Sequence, residues 1–128
     1  MPGHNGLLTA LHDILCPMIL DIVYSVNNVP IRLTDERWDH IVDNHPELAT
    51  YYQEILEAVA SPEYILRGYP GTLIGVLVFG RSAYLHVVYR EINQADGFIV
   101  TAGFRNKLDR GKIIWRRNST KQRKSKRR

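Results

Sequence analysis

Cysteine is almost absent from this chain. Cys16 stands alone among 128 residues, so no intramolecular disulfide can form, and a reducing, cytoplasmic setting is the expectation. One thiol with no Cys or His beside it makes no metal site; it reads as a small buried apolar group. Long apolar runs are missing too. The candidate at Ile14–Leu20 is broken by Pro17 and falls far short of the roughly 20 residues a membrane helix needs. Met1–Gly6 has no basic stretch of the kind that opens a secretory signal. Glycine-rich phosphate loops and nucleophile elbows do not occur, so the chemistry those motifs carry has no footing here.

Acidic residues are missing from one region. Residues 116–128 hold eight of the 17 basic residues and none of the 13 acidic ones. The net charge of +4 and the pI near 9.4 therefore belong to that tail, while residues 1–115, nine basic against thirteen acidic, carry −4. A polyanion-seeking or solubilising arm, disordered in the free chain, is the expectation for 116–128. An acidic body argues against a protein that coats nucleic acid over a broad basic surface. With 45% hydrophobic and 23% charged residues, the chain fits a single domain with a real core. Strand-like sequence begins at Met18, which is the expected natural start of the protein. Residues 1–17 then form an extension, 18–115 one α+β domain, and 116–128 the tail.

What is present reads as a short hairpin, two helices and a meander. Leu20–Val26 and Val29–Leu33 flank Asn27-Asn28, a pair that tolerates the positive φ of a tight turn, and Pro30 marks the second strand as an edge. Thr34, followed by Asp35 and Glu36, is an N-cap with acids in the first turn. Trp38, Ile41, Val42 and His45 then share a helical face. Asn44-His45-Pro46-Glu47 breaks that helix and starts a second at Pro46. Its apolar stripe is Leu48, Tyr52, Ile55 and Val59, and Ser61-Pro62 stops it. Tyr64–Arg67, Thr72–Phe79, Ser82–Arg90 and Phe98–Phe104 read as four antiparallel strands, with Lys112–Trp115 a short fifth. The architecture expected is thus two N-terminal helices on a four-stranded antiparallel meander, with a leading hairpin.

Phe79-Gly80-Arg81-Ser82 offers glycine first in a two-residue turn. That register sets Val76 against Leu85 and Ile74 against Val87, with Leu85 against Ala102 beyond. Gly75, Leu77, Tyr84, His86, Val88, Arg90, Thr101, Gly103 and Arg105 fall on the face away from the helices. A histidine, a hydroxyl, a tyrosine and two arginines over glycine suit a phosphate: guanidinium groups clamp the oxygens and imidazole moves protons near neutral pH. An ordinary half-solvated sheet face fits the same residues. His45 precedes a helix N-terminus, a place for a neutral imidazole acting as base; a packed histidine beside Trp38 fits too. His40 reads as a surface residue. Histidines at 40 and 45 miss the i, i+4 spacing of a helical zinc pair, so neither a metal nor any other cofactor is expected.

Trp38-x-His40-Ile41, His45-Pro46-Glu47 and Ser61-Pro62-Glu63-Tyr64-Ile65, then Leu85-His86-Val87-Val88 closing on Phe98-Ile99-Val100-Thr101-Ala102, resemble the phage and cyanobacterial nuclease-like families of the barnase–EndoU–colicin–RelE superfamily. The resemblance covers about residues 30–104. It implies a toxin-type, metal-independent ribonuclease, with His40, His45, His86, Arg90 and Thr101 in catalysis. Of the residues that would contact the RNA the resemblance carries Glu47; Arg81, Tyr84 and Arg105 are candidates outside it, and His45 would be the base and His86 the acid, or the reverse. Gly103 departs from the pattern, where an aromatic is expected after Thr-Ala, and Tyr84 or Phe104 would have to take its place. A non-catalytic protein- or RNA-binding module on the same fold is the alternative. An antitoxin-like partner or a second copy would cover Leu73, Leu77, Phe79, Val88 and Ile99 on the open face; residues 7–20 folding back as a helix would cover it otherwise.

Overall fold

Thr34 caps the first helix as its hydroxyl permits: its backbone is extended and its Oγ1 accepts from the Arg37 amide at 3.2 Å. The computed structural model describes residues 17–118. In it β1 (Ile19–Tyr24) and β2 (Pro30–Thr34) form the leading hairpin, with Asn28 at φ 64° in the turn. Helix α1 (Asp35–Asn44) follows, then a 3-10 turn (Pro46–Thr50) and helix α2 (Tyr52–Ala60). Strands β3 (Tyr64–Arg67), β4 (Leu73–Gly80), β5 (Ala83–Asn93) and β6 (Asp96–Arg105) make the meander, and β7 (Ile113–Arg116) closes the described chain.

The expected four-stranded antiparallel sheet under two N-terminal helices is not what forms. One mixed sheet holds seven strands in the order β1-β2-β6-β5-β4-β3-β7, and the helices lie mid-chain, after β1 and β2. The leading hairpin joins the meander because β2 lies parallel to β6, meeting it at Arg32 and Phe98. Pro30 is thus not on an edge strand; it is the first residue of an inner one, where no ladder donor is needed. The second helix does not start at Pro46 either. Five residues of 3-10 turn come first, and α2 begins after Tyr51.

Both helices pack on one face of the sheet. Ile41, Leu48, Ile55, Ala58 and Val59 meet Ile31, Leu33, Leu77, Leu85, Val87, Tyr89, Ile99 and Ala102 in one buried cluster. Gly75 sits directly beneath α2, where a Cβ would collide with the Ala58 carbonyl oxygen. This overturns the expected register. Val76 pairs with His86 and Leu77 with Leu85, because the turn uses Arg81-Ser82 and an irregularity lies between Val78 and Gly80. A slip of one residue flips a strand, so Gly75 and Leu77 go to the core. A bulge near Val88 and Tyr89 turns Ile99 inward as well. Leu77 and Ile99 are fully buried, and Leu73 and Phe79 pack on the core, so the apolar patch expected on the far face keeps only Val88. Of the exposed large apolar residues, Ile19, Leu20, Ile22 and Tyr24 lie on β1, with Met18 just before it.

β6 and β7 run in the same direction, since three antiparallel pairings and a fourth separate them. Residues 106–112 must therefore recross the sheet by four strand spacings, about 19 Å at about 4.8 Å each. That leaves little slack at roughly 3.3 Å per residue. The helices fill one face, and on the other Leu66 and Val76 are buried. The ordered fold also runs past residue 115: Arg116 belongs to β7 and the Arg117 amide donates to the Glu63 carbonyl at 3.0 Å. Residues 1–16 of the expected extension 1–17, residues 7–16 of a fold-back helix over 7–20, and residues 119–128 of the expected tail lie outside the described residues, while Ile19 and Leu20 stand in β1 and not in a helix. Among the described residues no helix is long and apolar enough to cross a membrane.

Candidate active site

β2 ends at Thr34, so beyond Val100 the outer edge of β6 has no strand beside it among the described residues. Helix α1 takes that place, with Arg37 Nη1 donating to the Val100 carbonyl at 3.1 Å. The end of α1 then delivers His45 to Gly103. A Cβ on Gly103 would lie 3.3 Å from His45 Nε2 and 3.4 Å from Cε1, so the imidazole fills the space where another residue would carry its side chain.

Gly103 is also the cross-strand partner of His86. Directly opposed residues project to the same face with Cβ atoms about 4.5–5.5 Å apart. Both histidines therefore stand over the same glycine. The Glu47 carboxylate lies 3.7 Å from His45 Nδ1. His86 Nδ1 lies 3.4 Å from the Tyr84 carbonyl oxygen. That oxygen accepts only from a protonated nitrogen, so the neutral ring keeps its proton on Nδ1 and presents Nε2 as a base. Burial pushes the His86 imidazole below the ordinary histidine range; the Tyr84 carbonyl partly opposes this, and the Arg105 guanidinium adds to it. Arg105 itself pairs across the strands with Tyr84.

The structure thus brings together His45, Glu47, His86 and Arg105, and Thr101 lies two residues along β6 from Gly103, paired with Val88. It does not bring in the others. Arg90 is four residues from His86 along β5, where its Nη1 donates to the Gly71 carbonyl at 3.4 Å and its guanidinium lies 5.9 Å from the Tyr69 ring centre. His40 is exposed on the outer face of α1 beside Asn44. Arg81 is exposed in the β4–β5 turn, its carbonyl accepting from the Tyr84 hydroxyl at 3.2 Å. Among the described residues no three His, Cys, Asp or Glu side chains gather in a metal-binding group.

Sequence reasoning missed an open cavity of about 420 Å³ beside this cluster, lined by Ser82, Ala83, Phe104, Arg105 and Asn106. Phe104 is fixed by edge-to-face contacts with Tyr51 and Phe79, ring centres 5.2 and 5.3 Å apart. The approach of His45 to Gly103 was also missed, and there the departure at Gly103 was the available signal, since an unexpected glycine on a strand marks a close approach. Comparisons of the chain with family models, with curated proteins and with solved structures find no match.

Proposed function

We propose that the chain is a metal-independent endoribonuclease that cleaves by attack of a ribose 2′-hydroxyl on the adjacent phosphate. The observation that carries this reading is the placement of His45 and His86 over one glycine, with Arg105 beside His86. The reaction needs a base, an acid and a cation at the phosphate. His86, kept neutral by burial, takes the 2′-hydroxyl proton as the O2′–P bond forms. His45 gives a proton to O5′ as the P–O5′ bond breaks, with Glu47 behind its Nδ1 to orient the ring. Arg105 offsets the charge that gathers on the phosphoryl oxygens, and Thr101 orients the group. The products are a 2′,3′-cyclic phosphate and a free 5′-hydroxyl. Arg90, His40 and Arg81 have no part in this step.

The resemblance to toxin-type ribonucleases is consistent with this reading and adds the expectation of a cytoplasmic protein held by an antitoxin-like partner. Incubation of mixed RNA with the full-length protein in EDTA, followed by end-group analysis, tests the proposal. Cyclic-phosphate ends support it. Intact RNA from a folded protein would leave a binding module on the same fold.

A further inference from the structure

We infer that β1 is the contact edge for a second copy of this chain, pairing antiparallel with its own counterpart about a twofold axis centred on Ile22. The inference stands apart from the ribonuclease reading.

β1 ends the seven-stranded sheet, and among the described residues no strand lies beyond it. Asp21 and Val23 oppose the core residues Leu33 and Ile31 and so face the helices, while Ile22 and Tyr24 oppose Arg32 and Pro30 on the other face. The backbone alternates as well. The Ser25 amide donates to the Val29 carbonyl at 2.9 Å, back across the hairpin. Successive residues of an antiparallel strand turn their N–H and C=O groups to opposite sides. Asp21 and Val23 therefore follow Ser25 toward β2, and Ile22 and Tyr24 point their groups outward. Such unpaired groups are a template for another strand. The side chains beside them are apolar and open: Ile22 is 50% exposed and Tyr24 57%, with Ile19 at 49% and Leu20 at 40%.

Proteins that keep an edge single blunt it with charge or short length. The far edge of the sheet is built that way: β7 has four residues, holds Arg116 and lies between Lys112 and Arg117. β1 has six residues and one charge, Asp21, whose carboxylate accepts from the Tyr52 hydroxyl at 2.7 Å. Its irregularity falls between Ile19 and Asp21 and leaves residues 22–24 regular.

The strand also complements itself. With Ile22 opposite Ile22 of the second copy, Tyr24 meets Leu20 and Val23 meets Asp21. Apolar side chains meet on the far face, and no carboxylate opposes a carboxylate, the pairing that would be destabilising. The residues ahead of β1 do not read as the missing strand, since Leu7, Leu8, Leu11, Ile14 and Leu15 recur at helical spacing and not in alternation. The contact is small, six residues a side against about 20–30 in a standard interface, so the dimer is a weak one that forms at high protein concentration. It makes one continuous sheet with seven strands from each copy. The axis stands normal to that sheet, so both copies present His86 on one surface, seven strand spacings or about 34 Å apart.

Sedimentation equilibrium of the full-length protein from about 1 μM to about 1 mM, the range of weak association, tests the proposal. A dimer is expected to grow in with concentration and to persist in added salt, because the two copies carry charge of the same sign. Ile22→Lys sets two like charges face to face and is expected to weaken the dimer about tenfold with an unchanged melting temperature. Disulfide trapping in a Cys16→Ser background checks the register. Ile22→Cys is expected to cross-link, its Cα atoms being about 5.5 Å apart in such a pair and within disulfide reach. Tyr24→Cys, about 13 Å from its own counterpart, is not. A chain that stays monomeric to about 1 mM would overturn the inference. So would cross-linking at 24 and not at 22, or a dimer that Ile22→Lys leaves intact. A dimer that salt dissolves also sinks it, pointing instead to the basic tail on an acidic body. Dimerisation only after removal of residues 1–16 would do the same and make that segment the occupant of the edge.

Discussion

His45 stands over Gly103, its Nε2 at 3.3 Å from the position a Cβ would take. A real Cβ there needs the ring to give by a few tenths of an ångström, and His45 is exposed enough to swing away. Gly103→Ala should therefore leave the melting temperature nearly unchanged while cleavage falls by about tenfold or more, since misplacing a reacting group by about 1 Å can cost a hundredfold. Unchanged cleavage in a folded Gly103→Ala protein would separate His45 from the chemistry.

Gly75 carries the opposite kind of constraint. Its would-be Cβ meets the Ala58 carbonyl of α2, which is backbone and cannot move alone. Gly75→Ala should lift α2 from the sheet and destabilise by about 1–3 kcal/mol or more, as overpacking does. Thermal denaturation checks this; an unchanged midpoint would mean that α2 does not sit on β4 as described.

Tyr89 is fully buried, and its hydroxyl has no partner among the described residues. Burial, with Glu91 nearby, pushes the phenol well above its ordinary value, so it stays neutral and unsatisfied. An unpaired buried hydroxyl costs about 1–3 kcal/mol. Tyr89→Phe should raise stability by about 1 kcal/mol, worth roughly 4–8 °C in a domain of this size. A lower melting temperature would show that the hydroxyl has a partner.

His86 makes stability depend on pH. Its folded value lies below the ordinary 6.5 because of burial first, with Arg105 adding to the effect. Between the folded and unfolded values the unfolded chain binds more protons, so stability rises with pH across that window and is lost as pH falls through it. His86→Gln should remove this part of the slope as pH falls below the ordinary histidine value of about 6.5. Parallel wild-type and variant curves of melting temperature against pH would contradict the burial of this ring.

The helices were legible because their signals are local. Thr34, Asp35 and Glu36 start α1 at the residue expected, and Ser61-Pro62 ends α2. The sheet was not, because its decisive pairings are distant or irregular. β2 joins β6 through Arg32 and Phe98, 66 residues apart in the chain, and β7 reaches β3 only after the chain returns past four strand spacings. The β4–β5 turn closes one residue later than glycine placement suggests, which flips β4 and sends Gly75 and Leu77 to the core. The two-residue shift between β5 and β6 preserves parity, and His86, Thr101, Gly103 and Arg105 stay on the face expected. His45 reaches them only because β2 ends early, a fact of topology that no local pattern carries.

The most direct test of the account is the cleavage rate of RNA in EDTA for wild type, His45→Ala and His86→Ala, each checked for an unchanged fold. A general acid or base contributes about 10²–10⁴ in rate, so each substitution should slow cleavage by at least about tenfold. Rates unchanged in both would contradict it.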